Sequence, residues 1–134
     1  MILPHGTVVA LADGAKLELF RNSGNEAAPE LSPLNAPLLQ SHNKDSGARH
    51  ISSSANPAGH LLDEDAHAAA VADWLNQQVL DHKVEHLVII AAPRTLGELR
   101  RHYHKQLEAV LISELHKELI GRNAVEVLNA IRSA

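Results

Sequence analysis

The chain has 134 residues, a length typical of one domain with a substantial core, and a formal net charge of −4. It contains no cysteine, which excludes disulfides, zinc fingers and thiol nucleophiles, and an aromatic content of 2% argues against base-stacking platforms. Because the first residues lack the basic start of a secretion signal and no apolar run is long enough to span a membrane, we expect a cytoplasmic protein.

The N-terminal segment predicts a β-hairpin. Residues 7–12 form an apolar run, Asp13 and Gly14 follow, and residues 16–20 alternate between apolar and polar side chains. Asp-Gly between two strand patterns is typical of a tight hairpin turn, because both residues tolerate positive φ. The hairpin would place one face of its second strand on the core.

The next two segments lack the pattern of a central element. Residues 30–39 contain Pro33 and Pro37, which predicts an edge strand or an extended arm, since proline cannot occupy a central strand. Residues 41–60 contain one large apolar side chain, Ile51. A loop of this length in a compact domain is usually functional or disordered, so we expect residues 41–60 to be mobile.

The following segment predicts an amphipathic helix of about five turns on one face of the sheet. Asp63, Glu64 and Asp65 would open it, because acidic residues are stabilised at the positive end of the helix dipole. Trp74 would lie at the margin of its apolar stripe. The stripe consists of Ala68, Val71, Ala72, Leu75 and Val79.

Residues 87–92, LVIIAA, predict a buried central strand, because they are apolar on both faces. Pro93 would end this strand, and Thr95 with Glu98 three residues later predicts a capping box at the start of a helix. Open α/β sheets usually bind ligands at the carboxyl ends of such strands. Arg94 would lie at that position.

The C-terminal segment is ambiguous at first. Between residues 107 and 120, leucines recur every four residues as in a helix, whereas residues 111–118 alternate as in a strand. Gly121 would end this element. Asn123, with Glu126 three residues later, predicts the cap of a last helix.

A basic cluster is the strongest functional signal in the sequence. Residues 94–105 carry four positive charges (Arg94, Arg100, Arg101 and Lys105) and one negative charge (Glu98), a local charge of +3 that leaves −7 for the rest of the chain. Arginine at a strand-to-helix switch can bind phosphate or carboxylate. The alternative is a solvated helix face on which Glu98 pairs with Arg101 or His102.

Metal and hydrolase chemistry have little support. The chain has ten histidines, but His102 and His104 would lie on different helix faces, and no His-Glu-x-x-His motif occurs. The serines of residues 41–60 lack the Gly-x-Ser-x-Gly setting of a hydrolase nucleophile. We therefore expect no metal, no cofactor and no catalytic activity.

Three segments together resemble a known family. They are residues 12–20, ADGAKLELF; residues 47–50, GARH; and residues 92–100, APRTLGELR. Their order and spacing resemble the bacterial host attachment family, named as proteins required for attachment to host cells, over nearly the whole chain. That family is similar in fold to the central domain of archaeal and eukaryotic peptide-release factors.

The resemblance implies an α/β fold over residues 1–134, a single-domain ribonuclease H-like mixed sheet of about five strands with flanking helices and a long flexible loop at about 41–60. It also implies that residues 110–117 form a strand rather than a helix. In release factors the long loop carries Gly-Gly-Gln, which promotes hydrolysis of peptidyl-tRNA. Residues 41–60 hold no such triplet.

Two functions follow as expectations. The first is a non-catalytic, translation-associated protein that binds the ribosome or RNA. The second is a protein-interaction module that affects attachment to host cells or surfaces by meeting an acidic protein partner. A ribonuclease H-like enzyme is a weaker third, because the clustered acidic residues of two-metal nucleases are missing. The binding residues would be Arg94, Arg100, Arg101, Lys105, Arg49 and His50.

Overall fold

The structure, a computed structural model, describes residues 2–39 and 57–134. Its strands are β1 (Val8–Ala12), β2 (Leu17–Asn22), β3 (Leu31–Leu34), β4 (Leu87–Ala91) and β5 (Leu111–His116). They form one sheet in the order β3-β2-β1-β4-β5, in which β1, β2 and β3 are antiparallel neighbours and β4 and β5 run parallel to β1. The predicted single-domain α/β architecture with a five-stranded mixed sheet is confirmed.

Four helices among the described residues flank the sheet. They are α1 (Pro57–Leu80), α2 (Pro93–Arg100), α3 (Lys105–Val110) and α4 (Ala124–Arg132). Buried side chains of α1, α2 and α3 share one core cluster with one face of the sheet, and buried side chains of α4 share a second cluster with the other face. None of the described helices is long and apolar enough to cross a membrane.

Strands β1 and β4 lie at the centre of both core clusters. All five residues of each strand are buried, as the apolar runs of the sequence predict. Alternate residues point to opposite faces, so Ala10 and Ile89 join the cluster of α1 while Val9 and Val88 join the cluster of α4. Since β4 ends at Ala91, the following residues emerge at the carboxyl edge of the parallel strands.

The predicted hairpin between β1 and β2 is present, but its turn is different. Residues 13–16 form a four-residue loop closed by a hydrogen bond from Asp13 N to Lys16 O at 3.1 Å. The Asp13 carboxylate accepts hydrogen bonds from Ala15 N (2.8 Å) and Lys16 N (2.6 Å). Asp13 therefore has a turn role, as local side-chain bonds of aspartate often do.

Gly14 is needed for space rather than for positive φ. Among the described residues positive φ occurs at Gly6, His82 and Gly121 and not at Gly14, so the predicted reason for this glycine is wrong. A Cβ at Gly14 would lie 2.5 Å from Cγ of Glu64. The turn therefore sits against the first half of α1, where a side chain does not fit without movement.

Two predicted helix starts are wrong. Helix α1 begins at Pro57 and not at Asp63, and α2 begins at Pro93 with Ala92 as N-cap and no side-chain cap, so Thr95 forms no capping box. In both cases proline occupies the start of the helix, where its missing N–H costs no hydrogen bond and its fixed φ suits the helix. The amphipathic stripe predicted for α1 is buried against the sheet.

The C-terminal predictions are largely confirmed. The ambiguous stretch contains the short helix α3 followed directly by β5, so the strand predicted for residues 110–117 is present. At the start of α4 the Asn123 side chain accepts a hydrogen bond from Glu126 N at 2.9 Å, which is the predicted cap.

The edge strand predicted from residues 30–39 is also present as β3, with Pro33 opposite Phe20 of β2.

Residues 41–56 of the predicted mobile loop lie outside the described residues. Residues 57–60, which close the predicted range, form the first turn of α1.

Asn22 holds the start of the chain to the turn between β2 and β3. Its side chain is fully buried; Nδ2 donates to Leu3 O (2.9 Å) and Pro4 O (3.3 Å), while Oδ1 accepts from Gly24 N and Glu30 N (both 2.9 Å). The Asn22 amide therefore donates and accepts hydrogen bonds at the same time. Aspartate cannot replace it, because an ionised carboxylate only accepts.

Replacing Asn22 by Asp should lower the free energy of unfolding by about 2–4 kcal/mol, because a carboxylate would meet two carbonyl oxygens without a donor. Urea unfolding followed by circular dichroism measures the loss. The matched control is Asn35→Asp at an exposed position, which should change the stability little. Equal effects of the two substitutions would contradict the role of Asn22.

Candidate functional site

The predicted basic residues lie around α2 and the turn that connects it to α3. Arg94 is in the first turn of α2, Arg100 is its last residue, Arg101 follows in the turn and Lys105 starts α3. All four are exposed, and together they are called the arginine surface below. The other predicted binding residues, Arg49 and His50, lie outside the described residues.

Arg94 links α2 to α1. Its Nη2 donates to both carboxylate oxygens of Asp65, at 3.1 and 2.9 Å. Because Pro93 ends the strand and starts the helix, the Arg94 backbone is fixed at the carboxyl edge of β4. The ion pair then holds its guanidinium against α1.

Arg100 and Tyr103 share a carboxylate of β5. Arg100 donates through Nε (2.9 Å) and Nη2 (2.8 Å) to Oε1 of Glu114, and the Tyr103 hydroxyl donates to Oε2 at 2.7 Å. Hydrogen bonds to an ionised group are about twice as strong as neutral ones. This network ties the end of α2 and the following turn to the edge strand.

The ionisation of the three groups follows from the network. Burial raises the pKa of the Tyr103 hydroxyl, and the hydrogen bond to Glu114 raises it further, so it stays protonated and remains a donor. Partial burial pushes the pKa of Glu114 upward, but the hydrogen bonds from Arg100 and Tyr103 outweigh it, so the pKa is lowered overall. The hydrogen bond to Glu114 raises the pKa of Arg100.

Glu98 pairs with both residues that the sequence offered as alternatives. Its Oε1 lies 3.4 Å from Nη1 of Arg101, and its Oε2 lies 3.0 Å from Nε2 of His102. The Arg101 side chain is 75% exposed, so this long pair holds it only weakly. The predicted solvated helix face is therefore present.

The turn that carries Arg101 is held by Asn76 of α1. Asn76 Nδ2 donates to His102 O at 2.8 Å, and its Oδ1 accepts from His104 N at 2.9 Å. The sequence places Asn76 on the polar side of α1 and gives no sign of this role, because its partners are 26 and 28 positions away.

The arginine surface is close to electrically balanced. Its four cations face three carboxylates, those of Asp65, Glu98 and Glu114. The local charge of residues 94–105 does not include the carboxylates of Asp65 and Glu114, because they lie 29 and 14 positions from their partners in the sequence. Each guanidinium has five N–H donors and uses one or two of them here, which leaves donors for a phosphate.

Within residues 2–39 and 57–134, no three His, Asp or Glu side chains are grouped closely enough to hold a metal ion.

A family model described as bacterial archaeo-eukaryotic release factor family 12 matches residues 6–131. The chain belongs to this family. No curated protein matches the chain.

Membership of family 12 confirms the release-factor likeness predicted from the sequence. The match includes every strand and helix of the described structure, apart from the last residue of α4. The other half of the predicted resemblance, to proteins required for attachment to host cells, stays a prediction.

Replacing Glu114 by Gln should lower the stability of this family 12 protein at neutral pH by about 1 kcal/mol, because the Arg100 guanidinium loses its counter-charge. The lowered pKa of Glu114 means that the unfolded chain takes up this proton at a higher pH than the folded one. The stabilisation by Glu114 is therefore complete above the ordinary carboxyl pKa and is lost as the pH falls through the lowered value.

Urea unfolding of wild type and variant between neutral and acidic pH measures this dependence. The difference in stability between them should shrink as the pH falls. The control is Glu126→Gln, whose carboxylate pairs with the exposed Arg122 and should matter little at any pH. A difference for Glu114→Gln that stays constant with pH would contradict the assigned ion pair.

Proposed function

We propose that this protein is a non-catalytic, translation-associated binding protein that acts in the cytoplasm and contacts ribosomal RNA through the arginine surface. The observation that carries the proposal is the family match, which spans residues 6–131 and relates the chain to release factors. The arginine surface supports it by presenting exposed guanidinium groups on α2 and on the turn that follows it.

The absence of catalysis is proposed from the sequence. The release-factor triplet Gly-Gly-Gln needs two adjacent glycines, and the 134-residue sequence contains no such pair. A family 12 chain without the triplet retains the scaffold that would bind the ribosome and lacks the group that promotes release. We therefore assign binding without peptidyl-tRNA hydrolysis.

The four basic residues differ in how freely they can bind a phosphate. Arg94 and Arg100 each make two hydrogen bonds to a carboxylate at 3.1 Å or less, so a phosphate would have to compete with that carboxylate. Arg101 is 75% exposed with a contact of 3.4 Å, and Lys105 forms no ion pair within the described part of the chain. Arg101 and Lys105 should therefore make the main phosphate contacts.

A second candidate is a protein-interaction module that affects attachment to host cells or surfaces. The observation that favours it is the mixed charge of the arginine surface, where cations alternate with carboxylates. Complementary mixed charges select protein partners well and give specificity more than affinity. An acidic protein partner would use the same exposed Arg101 and Lys105.

Co-sedimentation with purified ribosomes at several salt concentrations tests the first proposal. Two phosphate contacts predict a log–log slope of affinity against salt of about −1.5 to −2. The double variant Arg101→Gln/Lys105→Gln should flatten this slope and lower the ribosome-bound fraction, and ribonuclease treatment should abolish binding.

The matched control is Arg122→Gln/Arg132→Gln, which removes two exposed charges at the ends of α4, on the other face of the sheet. It should bind ribosomes as the wild type does. Equal loss in both double variants would indicate a net-charge effect and contradict the arginine surface. If this protein still binds a partner protein after ribonuclease treatment, the result would support the second candidate instead.

Peptide release is a separate test of the non-catalytic assignment. The purified protein, added to ribosomes that carry peptidyl-tRNA, should release no peptide above the buffer rate, because the sequence lacks the triplet that promotes release. A release factor serves as the positive control. Release by the purified chain would overturn the assignment even if ribosome binding is confirmed.

A further inference from the structure

A cleft of about 600 Å³ lies at the end of the sheet opposite to Arg94. It is bordered by the segment before β1, the end of β2, the residues after β3, the second half of α1 and the connection from α1 to β4. This is the amino edge of the parallel strands, since Val8 of β1 is paired with Leu87 of β4 there. The volume falls in the range of small-molecule sites.

The lining of this cleft is rich in basic side chains. Arg21 and Lys83 share it with three histidines and one carboxylate, that of Glu85. In the parts of the chain that the structure describes, no carboxylate pairs with Arg21 or Lys83. The arginine surface, by contrast, has a carboxylate for each arginine. The cleft therefore places two cations without a carboxylate partner beside three histidines, at a site that the local charge of residues 94–105 does not indicate. The histidines are His5, His82 and His86.

His82 adopts a backbone conformation that favours glycine. It follows α1 with φ of 61°, and His82 N donates to Val79 O (3.0 Å) while Lys83 N donates to Gln78 O (2.9 Å). This pair of bonds is a Schellman motif with His82 at the position where glycine is usual. His82 is exposed, so packing does not explain the strained residue. Strain of this kind is often kept where a side chain binds a ligand.

Arg21 lies beside a second positive-φ residue that also lines the cleft. Gly6 has φ of 85° and donates from its N to Asn22 O at 2.8 Å; a Cβ there would lie 3.5 Å from Nη2 of Arg21. The buried Asn22 side chain fixes this corner through Leu3 and Pro4. The backbone beside Arg21 is thus held in place before any ligand arrives.

The cleft also has apolar lining residues, among them an indole. Its apolar lining consists of Val8, Leu19, Leu34, Trp74 and Val84. A flat ring packs well on such apolar side chains, and cations bind an anionic group. Arginine and lysine together are the usual donors for a phosphate in proteins. The lining thus suits a ligand that combines a phosphate with an aromatic ring.

We infer that this cleft binds a nucleoside monophosphate, with the phosphate against Arg21, Lys83 and His82 and the base against Trp74. The site goes beyond the proposed ribosome binding, because it lies at the opposite edge of the sheet from Arg94 and shares no residue with the arginine surface. Loss of one activity therefore need not affect the other.

Trp74 is the only tryptophan of the chain, so its indole N–H gives a single signal in an NMR spectrum of ¹⁵N-labelled protein. Titration with adenosine 5′-monophosphate should shift this signal saturably. Adenosine and inorganic phosphate, added separately, should each bind more weakly than the nucleotide. The double variant Arg21→Gln/Lys83→Gln should raise the Kd about tenfold or more, because it removes two charged donors.

Reciprocal controls separate this site from the proposed function. Arg101→Gln/Lys105→Gln should keep the Kd for adenosine 5′-monophosphate, and Arg21→Gln/Lys83→Gln should keep ribosome co-sedimentation. His82→Gly should raise the urea midpoint, because glycine fits the positive φ, and at the same time raise the Kd. The inference is overturned if the indole signal does not move at millimolar nucleotide, if the double variant binds as the wild type does, or if inorganic phosphate alone binds as tightly as the nucleotide.

Discussion

Strands β1 and β4 pair in parallel from Val8 opposite Leu87 to Ala12 opposite Ala91, and every residue of both strands is buried. A strand with no face open to water must be covered above and below, which requires helices on both sides of the sheet. A parallel pair also needs a long crossover, and α1 provides it. The two candidate sites are consequences of this pair. Arg94 follows the carboxyl end of β4, and the cationic cleft opens at its amino end.

Charge in this fold depends on tertiary pairing rather than on runs along the chain. The +3 of residues 94–105 is largely neutralised when α1 and β5 bring Asp65 and Glu114 to the arginines. The cations of the cleft come from separate segments, so no local count would group Arg21 with Lys83. What matters for an anionic ligand is therefore which cations lack a carboxylate after folding, because a paired guanidinium binds phosphate only in competition with its partner.

The sequence predicts well those features that depend on apolar runs and on local side-chain caps. The strands of residues 7–12 and 87–92, the stripe of α1 and the Asn123 cap follow from hydrophobic periodicity and short-range hydrogen bonds. The predicted starts of α1 and α2 are wrong because each helix begins at a proline that precedes the acidic or hydroxyl residue expected to cap it. The role of Gly14 was also mispredicted, since its constraint comes from Glu64 on a distant helix. The cleft depends on contacts between five separate segments, and no periodicity encodes it.

Pro33 in β3 bears on how copies of the chain can associate. Proline has no N–H for the ladder, so in an edge strand that nitrogen faces away from the neighbouring strand, and the outer edge of β3 lacks a donor. Such an edge is a poor template for a strand from another molecule. Growth of the sheet into a fibre needs both edges to accept strands. Within the described sheet β5 is then the better edge for pairing, and two copies joined through β5 would have only their poor β3 edges left to extend.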